Sequence, residues 1–341
     1  MHRLAQRARP IAARVLGSVL VILGVVTLTF LLARVVSPDP TNLYVSPQAD
    51  EATRAVIRHN LGLDTSIPAQ YGRFLADLVR GDLGTSFSTG QPVQDDLASR
   101  LPATFELATY AVLLGTALGF LVGILGAVYE GSFLDRFFRF LTVSGLAMPQ
   151  FWIGLMLLWI FFVLLDVLPG PVGRLPIGTS PPPERTSFVV IDALLSGQIG
   201  LAGAALAQIA LPVITLAISV FAPIARTVRT AMLETLGTDY IRTAVAMNIP
   251  QRTIRFKYAF KNALLPVLTM LAGVIGFAFS GAVLVEGVFA WPGVGQYALD
   301  AIQQSDFPAI QGFVLFAAVL YVLIYLLLDL AYSSIDPRVR K

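Results

Sequence analysis

The chain has 341 residues, of which 56% are hydrophobic and 13% charged, and its formal net charge is +3. A soluble domain carries about 25% charged residues, so this composition excludes an ordinary water-soluble protein and indicates a chain that lies in the lipid bilayer. The sequence has no cysteine, and its two histidines, His2 and His59, stand too far apart for a metal-ligand pattern. We therefore predict no disulfide and no metal site.

Six stretches without Asp, Glu, Lys or Arg are long enough to cross a membrane as helices, which takes about 20 apolar residues. They cover residues 15–33, 107–129, 140–165, 193–225, 262–285 and 307–328. The fourth stretch is too long for one span, and we place the span itself at about 207–228. The first is long for a signal-peptide core and no small-x-small cleavage site follows it, so we predict an uncleaved span.

The positive-inside rule orients these spans. With the N-terminus in the cytoplasm, twice as many basic residues fall in cytoplasmic segments as in extracytoplasmic ones. The sequence therefore predicts an all-α polytopic membrane protein with six transmembrane helices and both ends in the cytoplasm. We divide it into an N-terminal tail with the first span (1–36), an extracytoplasmic loop (37–102) and a core with five spans (103–341).

Two extracytoplasmic segments have recognisable patterns. Residues 68–83 are predicted to form an amphipathic helix, with Tyr71, Phe74, Leu75, Leu78 and Val79 on one side. The loop 166–192 contains three consecutive prolines at 181–183, which favour a stiff, extended course.

The cytoplasmic segment 230–261 has more order than a simple connector. Thr238 or Asp239 can cap a short helix over 240–247, and Pro250 fits the first turn of a second, basic helix. On the short helix, the residues at i, i+3, i+4 and i+7 spacing are Tyr240, Thr243, Ala244 and Met247. This spacing alone leaves two interpretations equally open: insertion into a groove of a partner protein, or an interfacial helix pair that touches anionic lipid.

Several motifs in order distinguish between these interpretations. Asp239-Tyr240-Ile241-Arg242-Thr243-Ala244 through Asn262-Ala263-Leu264-Leu265-Pro266 resembles the EAA loop of ABC importer permeases, and more narrowly the B-type permease subunit of dipeptide and oligopeptide importers. The resemblance covers nearly the whole chain. Its other motifs are GDLGTS at 81–86, RLPAT at 100–104, MPQF at 148–151, LP at 211–212, WPGVG at 291–295 and DPR at 336–338.

The resemblance implies a type I ABC importer permease fold in the bacterial plasma membrane, and peptide import by alternating access. It implies a second homologous permease subunit, two ATPase subunits, an extracytoplasmic substrate-binding protein and membrane lipid as partners, and no nucleic acid. It assigns the contact with the ATPases to Asp239, Tyr240, Thr243, Ala244, Met247 and Asn248.

Two positions in this loop depart from the family pattern. The family usually has glycine where Asn248 stands, and often an acidic residue near Thr243. Because asparagine tolerates left-handed backbone, we expect the turn at Asn248 to be kept. Because Thr243 departs from this pattern, the family's mode of pairing with the partner at this position is not carried over to this chain.

The sequence lacks a phosphate-binding loop of the form G-x-x-x-x-G-K-[ST]. We therefore expect no enzyme activity and no cofactor in this chain, with ATP and Mg held by the partner ATPases. For the outer gate or mouth we choose Glu286, Trp291, Pro292, Gly293 and Asp306. We expect the turn at 291–295 to be compact and Trp291 to lie at the membrane interface, and solvated loop acids are the alternative for the carboxylates.

Mildly polar residues within the spans are candidates for lining a translocation path. They are Ser144, Gln150, Thr215, Ser219, Thr269 and Ser280, and interhelical packing is their alternative role. Two other functions compete with an ATP-driven importer. A secondary transporter or channel would favour inverted repeats and buried charges, and an intramembrane enzyme needs catalytic groups within its spans; the sequence shows neither clearly.

The predicted topology can be tested by single-cysteine labelling, since the chain contains no cysteine of its own. Asn248→Cys and Ser333→Cys should be inaccessible to a membrane-impermeant thiol reagent in intact cells and accessible in inverted vesicles. Labelling of either position from outside intact cells would contradict the orientation.

Overall fold

The structure is a computed structural model that describes residues 2–36, 41, 50–60 and 64–335. In that part of the chain the regular structure is helical, with one isolated β-bridge between Thr85 and Pro92. The first helices are α1 (His2–Val36), α2 (Glu51–Asn60), α3 (Ile67–Val79), α4 (Val93–Val128), α5 (Phe133–Ala147), α6 (Gln150–Leu158) and α7 (Val189–Leu195). The remaining ones are α8 (Ile199–Leu236), α9 (Asp239–Ala246), α10 (Gln251–Thr253), α11 (Phe260–Phe289), α12 (Val294–Gln303) and α13 (Phe307–Ile335).

Four helices, α1, α4, α8 and α13, are long and apolar enough to cross a membrane, and two bent helix pairs bring the number to six if each pair is one span. The stretch 140–165, predicted as one span, is broken in the structure. There α5 ends and α6 begins at an angle of 109°. Met148 and Pro149 are extended, with ψ of 134° and 135°, because proline cannot continue the helical hydrogen bonds and disfavours helical backbone in the residue before it.

The chain forms two compact units. The larger unit comprises residues 101–296 and 328–341 and is built around α8, which packs against α5, α6, α7 and α11. Two apolar clusters follow α8 along its length. One joins Leu107, Leu216 and Trp291, and the other joins Val228, Met232 and Val267.

Three glycines on α4 let its backbone approach α8 closely. Gly115, Gly119 and Gly123 are four residues apart and therefore share one face. A Cβ atom on Gly119 would lie 2.7 Å from Ile224 Cγ2, and one on Gly123 would lie 2.6 Å from Val228 Cβ. These distances are too short for any side chain, so the glycines allow the two helices to pack at closest range.

The smaller unit comprises residues 1–100 and 297–327. In it the predicted amphipathic helix is confirmed as α3, whose Tyr71 and Phe74 rings lie 5.2 and 5.5 Å from the Phe30 ring of α1. Val79 was expected on the same side but is 89% exposed, because it is the last residue of α3.

We expect Gly119→Ala to destabilise the protein by about 1–3 kcal/mol, because the added methyl group overpacks the contact between α4 and α8. The measurement is the thermal midpoint of the purified chain in detergent. Gly203→Ala, on α8 with no atom within 4 Å of its added Cβ, is the matched control and should be neutral or stabilising. Equal midpoints for Gly119→Ala and the wild type would show that the close packing contributes no stability.

Candidate functional site

The segment predicted to contact a partner folds as a short helix with defined ends. Helix α9 begins one residue before the predicted 240–247. Thr238 occupies the capping position, but its hydroxyl donates to the Thr235 carbonyl at 2.6 Å instead of accepting from α9. At the other end Asn248 has φ of 57°, which confirms the expected left-handed turn. The Ile249 and Asn248 amides donate back to Ala244 and Val245 at 3.1 and 2.9 Å, which is the Schellman pattern.

The faces of α9 differ from the prediction at one residue. Ala244 is 7% exposed and packs with Ile241 and Ile254 in a small apolar core. Tyr240, Thr243 and Met247 are exposed, Met247 by 71%. Ala244 therefore does not share the exposure of the three residues with which the sequence grouped it, because the short helix packs this residue on its own chain.

Helix α9 is fixed to the helix that follows it. Pro250 directly precedes α10 rather than lying in its first turn. From Gln251 the helical backbone continues through α10 and a π-helical turn, Ile254–Ala259, into α11, with a 45° bend next to Pro266. At the start of α11 the Asn262 amide donates to the Tyr240 hydroxyl at 3.0 Å and to the Tyr258 carbonyl at 2.8 Å. This hydrogen bond and the apolar core around Ile254 join α9 to the helix that follows it.

The far end of α11 carries a buried carboxylate with partners from two other helices. Glu286 has 0% exposure. Its Oε1 accepts from the Thr104 hydroxyl of α4 at 2.6 Å, and its Oε2 accepts from the Gly295 and Gln296 amides at 2.7 and 3.0 Å. These amides belong to the first turn of α12, where a negative charge is favourable. The Thr104 hydroxyl also accepts from the Val294 amide at 2.9 Å. We call Thr104, Glu286 and residues 294–296 the Glu286 network.

The turn between α11 and α12 is compact, as the sequence predicts. A Cβ atom on Gly293 would clash with the Glu286 carboxylate, so any side chain there would have to displace it from its hydrogen bonds. Trp291 is 1% exposed and donates from Nε1 to the Ala103 carbonyl at 2.9 Å. The indole is therefore buried within the chain, where its N–H finds a hydrogen-bond partner, and it does not face lipid in this subunit.

Asp306 is the other carboxylate chosen for the outer mouth, and it lies in the smaller unit. It is 0% exposed and accepts from the Ser86 hydroxyl at 2.6 Å and from the Ser88 amide at 3.0 Å. It also accepts from the Ala309 amide at 3.2 Å in the first turn of α13. Solvated loop acids are therefore the wrong description of both Glu286 and Asp306.

Three further buried acids were given no role by the sequence. Glu106 binds Arg174 at 2.6 Å, and Asp135 binds Arg229 through two hydrogen bonds of 2.8 and 3.0 Å. Asp192 accepts from residues 185–187. Burial opposes ionisation there, but hydrogen bonds led by Thr186 hold the pKa of Asp192 below its usual value. Glu106 and Asp192 directly adjoin charge-free stretches, but so do the exposed Glu130 and Asp166, so this position in the sequence does not predict burial.

The candidate path residues do not line one cavity. Thr215 is 0% exposed and its hydroxyl donates to the Leu211 carbonyl of its own helix at 2.8 Å. Gln150 packs against Gly281. Ser144 and Ser219 are half-buried, and the side chains of Thr269 and Ser280 lie outside the described part of the structure. An open cleft of about 570 Å³ lies elsewhere, along the second half of α8.

Acidic and histidine side chains do not cluster in a way that suits a metal. Across residues 50–60 and 64–326, where side chains are described, no three of them are placed to share an ion. The carboxylates described above are instead satisfied by protein donors.

Comparison with known proteins gives a consistent result over the whole chain. The family of binding-protein-dependent transport system inner membrane components matches residues 115–341, and the N-terminal family of the same systems matches residues 8–108. The chain is 43% identical to a probable D,D-dipeptide transport system permease protein of Escherichia coli K12, with 95% of each chain covered.

Two other relatives cover a similar share. A dipeptide transport system permease protein of Alkalihalophilus pseudofirmus is 37% identical, with 96% of this chain and 98% of the relative covered. A glutathione transport system permease protein of Pectobacterium atrosepticum is 34% identical, with 96% and 97% covered.

The Glu286 network can be tested by removing one hydroxyl. Thr104→Val keeps the shape of the side chain but leaves the Val294 amide and one Glu286 oxygen without a partner, so we expect a destabilisation of about 3 kcal/mol. Thr116→Val is the matched control on the same helix. The Thr116 hydroxyl is buried without a hydrogen-bond partner in the described structure, so its replacement by a methyl group should be neutral or stabilising. Denaturation in detergent micelles measures both, and equal effects would contradict the network.

Proposed function

The chain belongs to the family of inner membrane components of binding-protein-dependent transport systems, and we propose that within this family it is the permease subunit that carries peptides for an ATP-binding-cassette importer. It is a multi-pass protein of the bacterial inner membrane. Membership in this family favours an ATP-driven importer over a secondary transporter or channel that acts alone.

A peptide substrate is supported by the relatives, because this chain matches them over nearly their full length. The relatives described above are a probable D,D-dipeptide permease, a dipeptide permease and a glutathione permease. These compounds share a small size, a free ammonium group and at least one free carboxylate. We propose that this chain passes short peptides of the same kind, delivered by an extracytoplasmic binding protein.

The exposed face of α9 is the proposed contact with the ATPases. Tyr240, Thr243 and Met247 present an aromatic ring, a hydroxyl and a flexible thioether to the surroundings. Aromatic and methionine side chains suit insertion into a partner's groove. Beneath them, Ile241 and Ala244 hold the helix in place, and the exposed Asp239 forms an ion pair with Arg242 at 3.2 Å.

The proposed transmission runs along the helix of residues 251–289. ATP and Mg bind in the partner subunits, so the energy of hydrolysis has to reach this chain as a mechanical displacement. The hydrogen bond between Asn262 and Tyr240 joins α9 to the start of this helix, and the Glu286 network holds its far end. A displacement of α9 would therefore act on the turn of residues 291–295, which we propose as part of the outer gate.

A second permease subunit is the proposed partner within the membrane. Alternating access needs a path enclosed by protein on all sides, and the described chain leaves large apolar side chains of α5 uncovered, including Phe133 at 78% and Phe140 at 66% exposure. Lipid and a homologous subunit both suit such a surface, and each is expected to cover part of it.

We expect Met247→Glu to abolish coupling without unfolding the chain. The side chain is 71% exposed, so a carboxylate is tolerated in the free subunit, whereas in a partner's groove it would be buried without a counter-charge. Copurification with the ATPases should fall at least about tenfold, or uptake of a radiolabelled dipeptide in proteoliposomes should stop while ATP hydrolysis continues.

Two controls make this experiment specific. Arg136→Gln, at an exposed position of α5, should leave association and uptake unchanged. Ala244→Glu should instead destabilise the loop itself, since it places a charge in the core with Ile241 and Ile254. Full association and wild-type uptake by Met247→Glu would exclude α9 as the coupling contact, and hydrolysis by the purified chain alone would contradict the dependence on partners.

A further inference from the structure

The open cleft of about 570 Å³ lies on one side of α8, with Leu146 of α5 and Met270 of α11 as its apolar walls. From α8 it is lined by Arg226, Thr227, Thr230 and Glu234. These residues lie on successive turns of the same helix face. Its volume is typical of sites for small organic ligands, which lie between about 300 and 1,000 Å³. We call it the α8 cleft.

The two charged side chains of the α8 cleft, Arg226 and Glu234, are exposed, in contrast to the buried acids Asp135 and Glu106. Asp135 and Glu106 are each paired with an arginine. Within the described part of the chain, by contrast, the side chains of Arg226 and Glu234 have no ion pair and no hydrogen bond. An arginine that directly adjoins an apolar span needs an anion or water as its partner, and such residues commonly line substrate pathways.

The spacing of the two charges defines the ligand that would satisfy both. Eight residues of α-helix separate their Cα atoms by about 12 Å. An extended dipeptide or tripeptide is about 7–10 Å long between its ends, and the two side chains can cover the remaining distance. Such a peptide carries a carboxylate at one end and an ammonium group at the other, and hydroxyl groups and apolar walls between them suit its backbone and side chains.

We propose that the α8 cleft is a transient binding site for short zwitterionic peptides on the translocation path, with Arg226 binding the peptide carboxylate and Glu234 its ammonium group. This assignment rests on the proposed function of the chain as a peptide permease. It places selectivity for peptide length and for free termini in this subunit, in addition to any selectivity of a binding protein. The rest of the spans, which contain no charged side chain, then offers the peptide no strong binding group.

The test uses the complete importer in proteoliposomes, with its binding protein, ATP and radiolabelled trialanine. Arg226→Gln and Glu234→Gln should each lower the uptake rate about tenfold, as expected for the loss of one charge-assisted hydrogen bond. Arg226→Lys and Glu234→Asp keep the charges and should retain most of the uptake. Arg136→Gln and Glu130→Gln, exposed in the turn and helix after α4, are matched controls and should leave uptake unchanged.

A trapping experiment locates the peptide. In a Thr230→Cys importer, the thiolate attacks the activated disulfide of an Ala-Cys-Ala peptide that carries a thiopyridyl group on its sulfur; a mixed disulfide forms and thiopyridone leaves. Mass spectrometry should find the peptide on this chain during ATP turnover. Excess trialanine should prevent the labelling, and Arg226→Gln or Glu234→Gln should reduce it about tenfold.

The outcomes separate this inference from the proposed function. If the wild-type importer takes up no peptide, the proposed function fails and the cleft assignment fails with it. If the wild type transports trialanine and the glutamine variants match it in uptake and trapping, the cleft assignment alone is overturned. If those variants instead lose copurification with the second permease subunit, the α8 cleft is an interface between subunits and not a peptide site.

Discussion

A carboxylate that water does not reach must obtain its hydrogen bonds from the protein, and Glu286 obtains them from two separate parts of the chain. One oxygen is bound by the Thr104 hydroxyl of α4, and the other by the amides that begin α12. Losing either donor would leave a buried charge poorly solvated, which costs more than an ordinary hydrogen bond contributes. The position of the 291–295 turn is therefore fixed by electrostatics, and the absence of side chains at Gly293 and Gly295 is a consequence of this constraint.

This constraint matters because of where α11 begins. The helical backbone of residues 251–289 is roughly 60 Å long at 1.5 Å per residue, so its two ends can lie near opposite surfaces of a bilayer. Ile254, near the start of this helix, packs against Ile241 and Ala244 of α9, and Glu286 lies in its last turn. The helix therefore has a specific contact at each end, with a 45° bend next to Pro266 between them.

The sequence was sufficient for the class of fold and for the stretches that form long apolar helices, because apolar length and the absence of charge determine both. It was also sufficient for α9 and for the left-handed turn at Asn248, which depend on local propensities. It did not reveal the break between α5 and α6, since an apolar window looks the same whether the helix continues or bends. It misplaced Ala244 and Trp291 because both could face outward by spacing alone, and only the packing of distant segments decides.

The close contact between α4 and α8 joins segments that are about 100 residues apart, so they leave the ribosome at different times. At a synthesis rate of about 5–20 residues per second, α4 waits about 5–20 s in the membrane before α8 follows it. During that interval its glycine face exposes no polar side chain to lipid. Asp135 is likewise synthesised 94 residues before its partner Arg229. Arg139, 3.5 Å away on the same helix, is synthesised almost together with Asp135, so a counter-charge is available to this carboxylate before Arg229 has been made.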